Sequence, residues 1–327
     1  MSQEVLAPGQ IATLAEREIP RLVPIRREAL FGDRAARLRA LAAGNPIAGY
    51  LEVMAALVQA QQDALSALDD AALQRLQQAA LAQQPQAARD AGMPPLEATS
   101  LRRDDAWRTW LRGLCRRVGD AAEAPEAVAA VLARLADAPD AWLDAQADAL
   151  LGVPGASAEV DPAAAPFVMA GLQLYWTALA LAFGQQALVP MADAPGLCPC
   201  CGSRPVASVV HASAPHAGYR YLACGLCSLQ WHFVRVQCSG CGGRGKDIAY
   251  QAMTHADAGA DAAKAAAVRA ETCEACHGYR KILYAEKDQA VEAQADDLAS
   301  LPLDLLLAEQ GYARLSHHPL LWQPDAE

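Results

Sequence analysis

Cys198-Pro-Cys-Cys201, Cys224-Gly-Leu-Cys227, Cys238-Ser-Gly-Cys241 and Cys273-Glu-Ala-Cys276 are four Cys-x-x-Cys pairs that fall within about a quarter of the chain. The i, i+3 spacing lets one tight turn present two thiolates to one ion, and two such turns complete a tetrahedral sulfur site. Four pairs therefore predict two metal sites, which use eight of the ten cysteines. Cysteines scattered through a core would not fall into this register. In the first pair Pro199 fixes the turn, and Gly202 follows the second sulfur. Glycine there permits positive φ and lets backbone amides approach the sulfurs. Cys238-Ser-Gly-Cys241-Gly242 repeats the pattern, whereas Ser228 and His277 take the glycine's place after the other two pairs.

Such turns are the knuckles of rubredoxins and zinc ribbons. Sequential pairing joins Cys198, Cys201, Cys224 and Cys227 in one site and Cys238, Cys241, Cys273 and Cys276 in the other. It is the preferred arrangement, because only 10 residues separate Cys227 from Cys238 while 22 and 31 lie inside the two proposed units. Interleaved pairing stays open at this stage. Four thiolates in tetrahedral geometry suit zinc or a single iron, and spacing does not choose between them. With every position filled by sulfur, metal-assisted hydrolysis is disfavoured. Cys200 lies between two ligands and is expected to point away from the ion.

The chain of 327 residues is 53% apolar and 20% charged, enough for two or three domains with a sizeable core. Alanine dominates the first 190 residues and favours helix. The fold expected is α+β and multi-domain: an all-α domain over 1–190, a first rubredoxin-like or zinc-ribbon-like β module over 191–235, and a second over 236–327 with a C-terminal helix and tail. Within the helical part, Gly44 is expected to cap one helix and Pro46 to open the next, with Ile47, Tyr50, Leu51, Met54, Leu57 and Val58 on one stripe. A polar helix follows over about 70–83, then a surface loop from Gln84 to Arg103. Asp104 or Asp105 caps a helix with Trp107, Leu111, Leu114, Cys115 and Val118 inward, so Cys115 reads as a core residue. Pro125 and Pro139 start two more.

No charged residue occurs between Asp161 and Asp193, and the apolar run over 163–183 is long enough to span a bilayer. It carries Gly171 and Gln173 and lacks cationic flanks. It therefore reads as a buried central helix from about Pro166 to Gln186, with no stable membrane insertion. Beyond Pro190 short strands are expected at Pro205–His211, Tyr219–Ala223, Trp231–Val236, Asp247–Gln251 and Tyr279–Ala285. A helix is expected through Leu298, Leu301, Leu305 and Leu306 to near Gly311, followed by a tail pinned by Leu320, Leu321 and Trp322.

The start, Met-Ser-Gln-Glu-Val-Leu-Ala-Pro8, lacks the basic and apolar regions of a secretory signal. A cytoplasmic setting fits cysteines held as thiols or ligands. Net charge is -10, yet residues 196–285 carry nine basic and five acidic side chains. A divalent ion held by four thiolates is a unit of about -2, so two such units bring this region near neutrality. The arginines need no nucleic acid to explain them, and nucleic-acid binding through zinc ribbons is disfavoured. Gly240-x-x-x-x-Gly245-Lys246 approaches a phosphate-loop pattern, but Asp247 stands where Ser or Thr should be. His232 and His277 find no ligand vacancy. No Ser-His-Asp or paired-carboxylate arrangement stands out, and the chain reads as non-enzymatic. Rubredoxin-like electron transfer or redox sensing is the alternative function, and thiol–disulfide exchange at one pair a minor one.

The chain resembles the FdhE family of formate dehydrogenase accessory proteins. The resemblance rests on Cys198-Pro-Cys-Cys-Gly-Ser-Arg-Pro-Val-Ala-Ser208, Arg220-Tyr-Leu-Ala-Cys224, Trp231-His-Phe-Val-Arg-Val236, Lys281-Ile-Leu-Tyr284 and Glu286-Lys-Asp288. Asp296-Asp-Leu-Ala-Ser-Leu301 and Glu309-Gln-Gly-Tyr-Ala313 extend it, and Asn45-Pro-Ile-Ala-Gly-Tyr-Leu51 and Ala55-Ala-Leu-Val-Gln-Ala60 are similar more loosely. All eight paired cysteines match the family's pattern; Cys200 is an addition. The resemblance implies a cytoplasmic, non-catalytic maturation factor. It would bind the catalytic subunit of a respiratory formate dehydrogenase before export, and it would carry rubredoxin-type sites, with iron a candidate beside zinc.

Overall fold

Helix punctuation and apolar spacing shape the first half of the molecule. The computed structural model describes residues 19–83, 92–120, 125–184, 188, 191, 193–253 and 265–322. The chain's opening residues, the loop stretch 84–91, the end of the central helix toward Gln186 and Val189-Pro190 lie outside these. Strand β1 (Leu22–Val23) leads into α1 (Leu30–Ala42), and Gly44 turns the chain at φ 72°. Helix α2 (Ala48–Ser66) buries Leu51, Met54, Leu57 and Val58 along the expected stripe. Helices α3 (Asp70–Gln83), α4 (Ala106–Gly119), α5 (Glu126–Asp137) and α6 (Asp140–Leu151) follow. At the start of α4 the Asp104 carboxylate accepts the Ala106 amide at 3.0 Å, and Pro125 and Pro139 immediately precede α5 and α6. Cys115 is buried on the inner face of α4, and burial pushes its thiol up to about 12.

Helix α7 (Ala165–Phe183) is apolar on all sides and sits at the centre of the helical body. It is long and apolar enough to cross a membrane, yet 78% of its apolar window is buried within the protein. Gln173 explains why this helix is not uniformly greasy. Its amide donates to Gly225 O at 2.6 Å and to Gln294 Oε1 at 2.7 Å, and its own oxygen accepts from Gln61 at 3.3 Å.

The remaining strands are β2 (Pro205–Val210), β3 (Arg220–Cys224), β4 (Gln230–His232), β5 (Ile248–Gln251), β6 (Val268–Cys273), β7 (Gly278–Tyr284) and β8 (Ala313–Arg314). They form one sheet in the order β1-β4-β3-β2-β7-β6-β5, with β8 added beside β7. The two cysteine-rich halves therefore do not have separate sheets. A parallel seam, Ser208–Val210 against Ile282–Tyr284, joins them, and every other pairing except β7–β8 is antiparallel.

Four local expectations need correction. The described part of the stretch expected to be a surface loop up to Arg103 is instead packed inward, with Leu96, Ala98 and Leu101 buried. The strand read over Trp231–Val236 stops at His232, because the chain turns and Val236 adopts φ 57°. Strand β6 was not expected; its Val-Arg-Ala-Glu-Thr-Cys sequence has little β character, and its pairing with both β5 and β7 stabilises it. The C-terminal helix is two helices, α8 (Ala293–Ala299) and α9 (Leu301–Glu309), hinged at Ser300 before Pro302. The tail is pinned as read: Leu320 is buried and its carbonyl accepts from the Tyr50 hydroxyl.

Candidate metal centres

Each cysteine pair sits on a tight turn at the end of a strand or beside one. In the first and third turns the amide of the leading cysteine bonds the carbonyl five residues on: Cys198 N to Ser203 O at 3.0 Å and Cys238 N to Gly243 O at 2.8 Å. The residue after the second cysteine must then take a left-handed conformation. Gly202 and Gly242 do so at φ 71° and 79°. Ser228 and His277, which looked like departures in the sequence, adopt the same conformation at φ 62° and 51°. All four turns thus place a left-handed residue after the second cysteine, and two of them do so without glycine's freedom.

The sulfurs gather sequentially. Cys198, Cys201, Cys224 and Cys227 have their Sγ atoms within 4.8 Å of one another, and so do Cys238, Cys241, Cys273 and Cys276. Across turns, Cys198–Cys227 and Cys201–Cys224 are each 3.5 Å apart, Cys238–Cys276 3.8 Å and Cys241–Cys273 3.6 Å. An ion with metal–sulfur bonds of about 2.3 Å spaces its tetrahedral ligands about 3.8 Å apart. A disulfide needs about 2.05 Å, and all ten cysteines are free thiols. The spacing fits a tetrahedral cation in both groups.

Backbone amides point at the sulfurs, as a thiolate site requires. Leu226 N and Cys227 N approach Cys224 Sγ at 3.3 and 3.4 Å; Gly240 N approaches Cys238 Sγ at 3.3 Å and Gly243 N approaches Cys241 Sγ at 3.4 Å. Burial pushes the Cys198 and Cys227 thiols well up. Burial also opposes ionisation at Cys201, but bonds from Cys198, Cys224, Cys227 and Ser203 outweigh it and hold that thiol down. Four thiolates this close require a cation to offset their mutual repulsion.

The two groups differ in setting. The first is sealed: its four cysteines are buried in the same core as the helices. Leu96 N and Ala98 N bond Cys200 O and Cys201 O at 2.9 and 3.0 Å, Gln173 holds Gly225, and the Trp176 indole holds Leu96 O at 2.9 Å. Cys200 is buried and stands outside the four-sulfur group. Nearby Cys227 favours its thiolate, but burial and the neighbouring sulfurs oppose ionisation and raise its pKa overall. In the second group Cys238 and Cys273 are buried, Cys241 is exposed and Cys276 at least partly so. The groups touch through backbone, because a Cβ on Gly196 would lie 2.3 Å from Ser239 O. His277 is exposed, and His232 packs on Tyr219 and Tyr221 rather than on any sulfur.

Comparison with known proteins gives one consistent result. The FdhE N-terminal family profile matches residues 19–193, the FdhE central domain 197–235 and the FdhE C-terminal domain 236–321. A protein FdhE homolog of Pseudomonas aeruginosa is 40% identical, covering 98% of each chain. One from Yersinia enterocolitica is 38% identical over 98% of this chain and 99% of its own. The crystal structure of the FdhE protein from Pseudomonas aeruginosa superposes with a TM-score of 0.76 at 39% identity, over 92% of this chain and 99% of that one.

Proposed function

The chain belongs to the FdhE family, and on that premise we propose that it is a cytoplasmic accessory factor that binds the catalytic subunit of a respiratory formate dehydrogenase during assembly, before export. The observation that carries this reading is full-length similarity to FdhE proteins combined with two four-sulfur groups of metal-binding geometry. Cys198, Cys201, Cys224 and Cys227 would hold one ion, and Cys238, Cys241, Cys273 and Cys276 a second, each iron or zinc. A bound ion would cross-link two turns in each group and supply folding free energy. The residues' part is to keep four thiolates converged, with backbone amides on the sulfurs. All four positions being sulfur, neither centre offers the open site that hydrolytic catalysis needs, which supports a non-enzymatic role.

The test is a pull-down from anaerobically grown cells with metal quantification of the same eluate. Co-purification of the formate dehydrogenase catalytic subunit with about two ions per chain is expected. A metal-free chain, or formate dehydrogenase activity unchanged in a deletion strain, would overturn the reading. The surface position of Cys241 favours a second reading, rubredoxin-like electron transfer or redox sensing at that centre. It requires iron there, and zinc alone in the anaerobic preparation would remove it.

A further inference from the structure

We infer that Arg280 is the buried counter-charge of the second tetracysteine centre, a positioning residue that retains metal by charge where burial does not. The inference rests on the metal reading proposed above. Arg280 lies on β7 and is 3% exposed. Its Nε donates to Ser239 Oγ at 2.8 Å and its Nη1 to Ser316 Oγ at 2.9 Å. Ser239 lies inside the third turn, between Cys238 and Cys241. No carboxylate lies within ion-pairing distance of Arg280 among the described residues, although buried arginines are normally paired.

The carboxylates nearby are already engaged. Glu271 pairs with Arg220 at 2.9 Å. Asp304 pairs with Lys281 at 2.5 Å and with Arg314 at 3.2 Å. Asp297 pairs with Arg314 and lies 3.6 Å from Lys281. His318 adds no charge: Leu320 N donates to its Nδ1 at 3.0 Å, so the proton sits on Nε2, facing Gln294 O at 2.9 Å. Four cations, Arg220, Arg280, Lys281 and Arg314, thus face three carboxylates, Glu271, Asp297 and Asp304. Burial pulls Arg280 down to about 9, with Arg220 and Arg314 acting in the same direction and the more distant Asp297 and Glu271 opposing them only in part. A four-thiolate centre around a divalent ion carries about -2, and the Ser239 that Arg280 grips sits between two of its cysteines, Cys238 and Cys241. That centre supplies the missing negative charge. The first centre is enclosed and braced by the helical body; the second has sulfur at the surface, where water and chelators compete.

The experiment titrates a graded series of chelators into metal-loaded protein, counts ions retained, and maps the released thiols by alkylation and mass analysis. In Arg280→Gln the thiols of Cys238, Cys241, Cys273 and Cys276 should be released at chelator strength at least about tenfold lower than in the parent, with the first centre unchanged. Arg280→Lys, which keeps the charge, should stay near the parent. Ser239→Ala, which keeps the guanidinium, should also retain the second ion. In iron-loaded protein, Arg280→Gln should lower the midpoint potential of that centre, because a nearby cation favours the more negative reduced state. Unaltered retention in Arg280→Gln, or loss in Arg280→Lys equal to that in Arg280→Gln, overturns the inference. If Arg280→Gln does not fold, Arg280→Lys and Ser239→Ala decide: loss of the second ion in either overturns it. A parent that binds no metal ends the proposed function instead, so the two failures are distinguishable.

Discussion

Ser228 and His277 hold the backbone shape that Gly202 and Gly242 hold at the sister turns. A left-handed conformation costs a non-glycine residue about 1–2 kcal/mol, partly offset by glycine's greater unfolded-state entropy. We expect His277→Gly to stabilise the protein by about 0.5–1 kcal/mol, read as a higher urea midpoint. Ser228→Gly should gain less, because it gives up the contact between Thr177 and Ser228 hydroxyls at 3.4 Å. A lower midpoint for His277→Gly would refute this and show that the ring contact with Tyr312, 6.2 Å between centroids, outweighs the backbone cost. This shared conformation is hard to read in the sequence, since serine carries no signal for it and histidine only a weak one; the common turn imposes it. His318 gives a pH prediction. Burial lowers it to about 4 from an ordinary value near 6.5. Between these values the unfolded chain binds the extra proton and the folded one does not, so stability rises with pH across that window and is lost on acidification. The contribution is up to about 3 kcal/mol. Unfolding free energies of His318→Gln should therefore depend less on pH between about 4 and 6.5 than those of the parent; equal slopes would refute this.

At the scale of the element, α7 and the second turn act as one unit through Gln173. The sequence showed a polar residue in an apolar run, and spacing alone gave no reason for it. The reason is a tertiary partner more than fifty residues away, the Gly225 carbonyl at 2.6 Å. Gln173→Leu would leave Gln294 Oε1 without its donor and the Gly225 carbonyl with only the longer bond from Gln294 at 3.3 Å inside the core. A loss of about 2–4 kcal/mol is expected, with the first ion released earlier under chelator than the second; undisturbed retention at the first centre would exclude the coupling. The cysteine turns were legible because an i, i+3 turn is a local property. Strand β6 was not, because its residues become a strand only when β5 and β7 lie on either side.

Over the whole molecule, a charged clasp fastens the helical body to the metal-bearing half. Arg34 meets Glu292 at 3.0 Å, and Arg37 reaches Asp296 and Asp288 at 2.6 Å each. Asp296 is buried, and burial raises its pKa despite Arg37. Arg37→Met would strand it, at an expected cost of about 3 kcal/mol. Thermal unfolding of metal-loaded Arg37→Met should begin at lower temperature than in the parent, and an unchanged profile would show that the clasp contributes nothing. The order of helices and the position of both cysteine groups could be read ahead of the structure. The clasp and the parallel seam could not, because each joins residues that only the finished topology brings together. That seam has a consequence for a broken chain. Val234 and Val236, both exposed, flank the passage from one half to the other. A protease that clips there should leave two polypeptides on a denaturing gel but one particle on a sizing column, held by Ser208–Val210 lying along Ile282–Tyr284 together with the Arg34 and Arg37 pairs. Fragments eluting apart would show that covalent continuity, not the seam and the clasp together, keeps the halves in company.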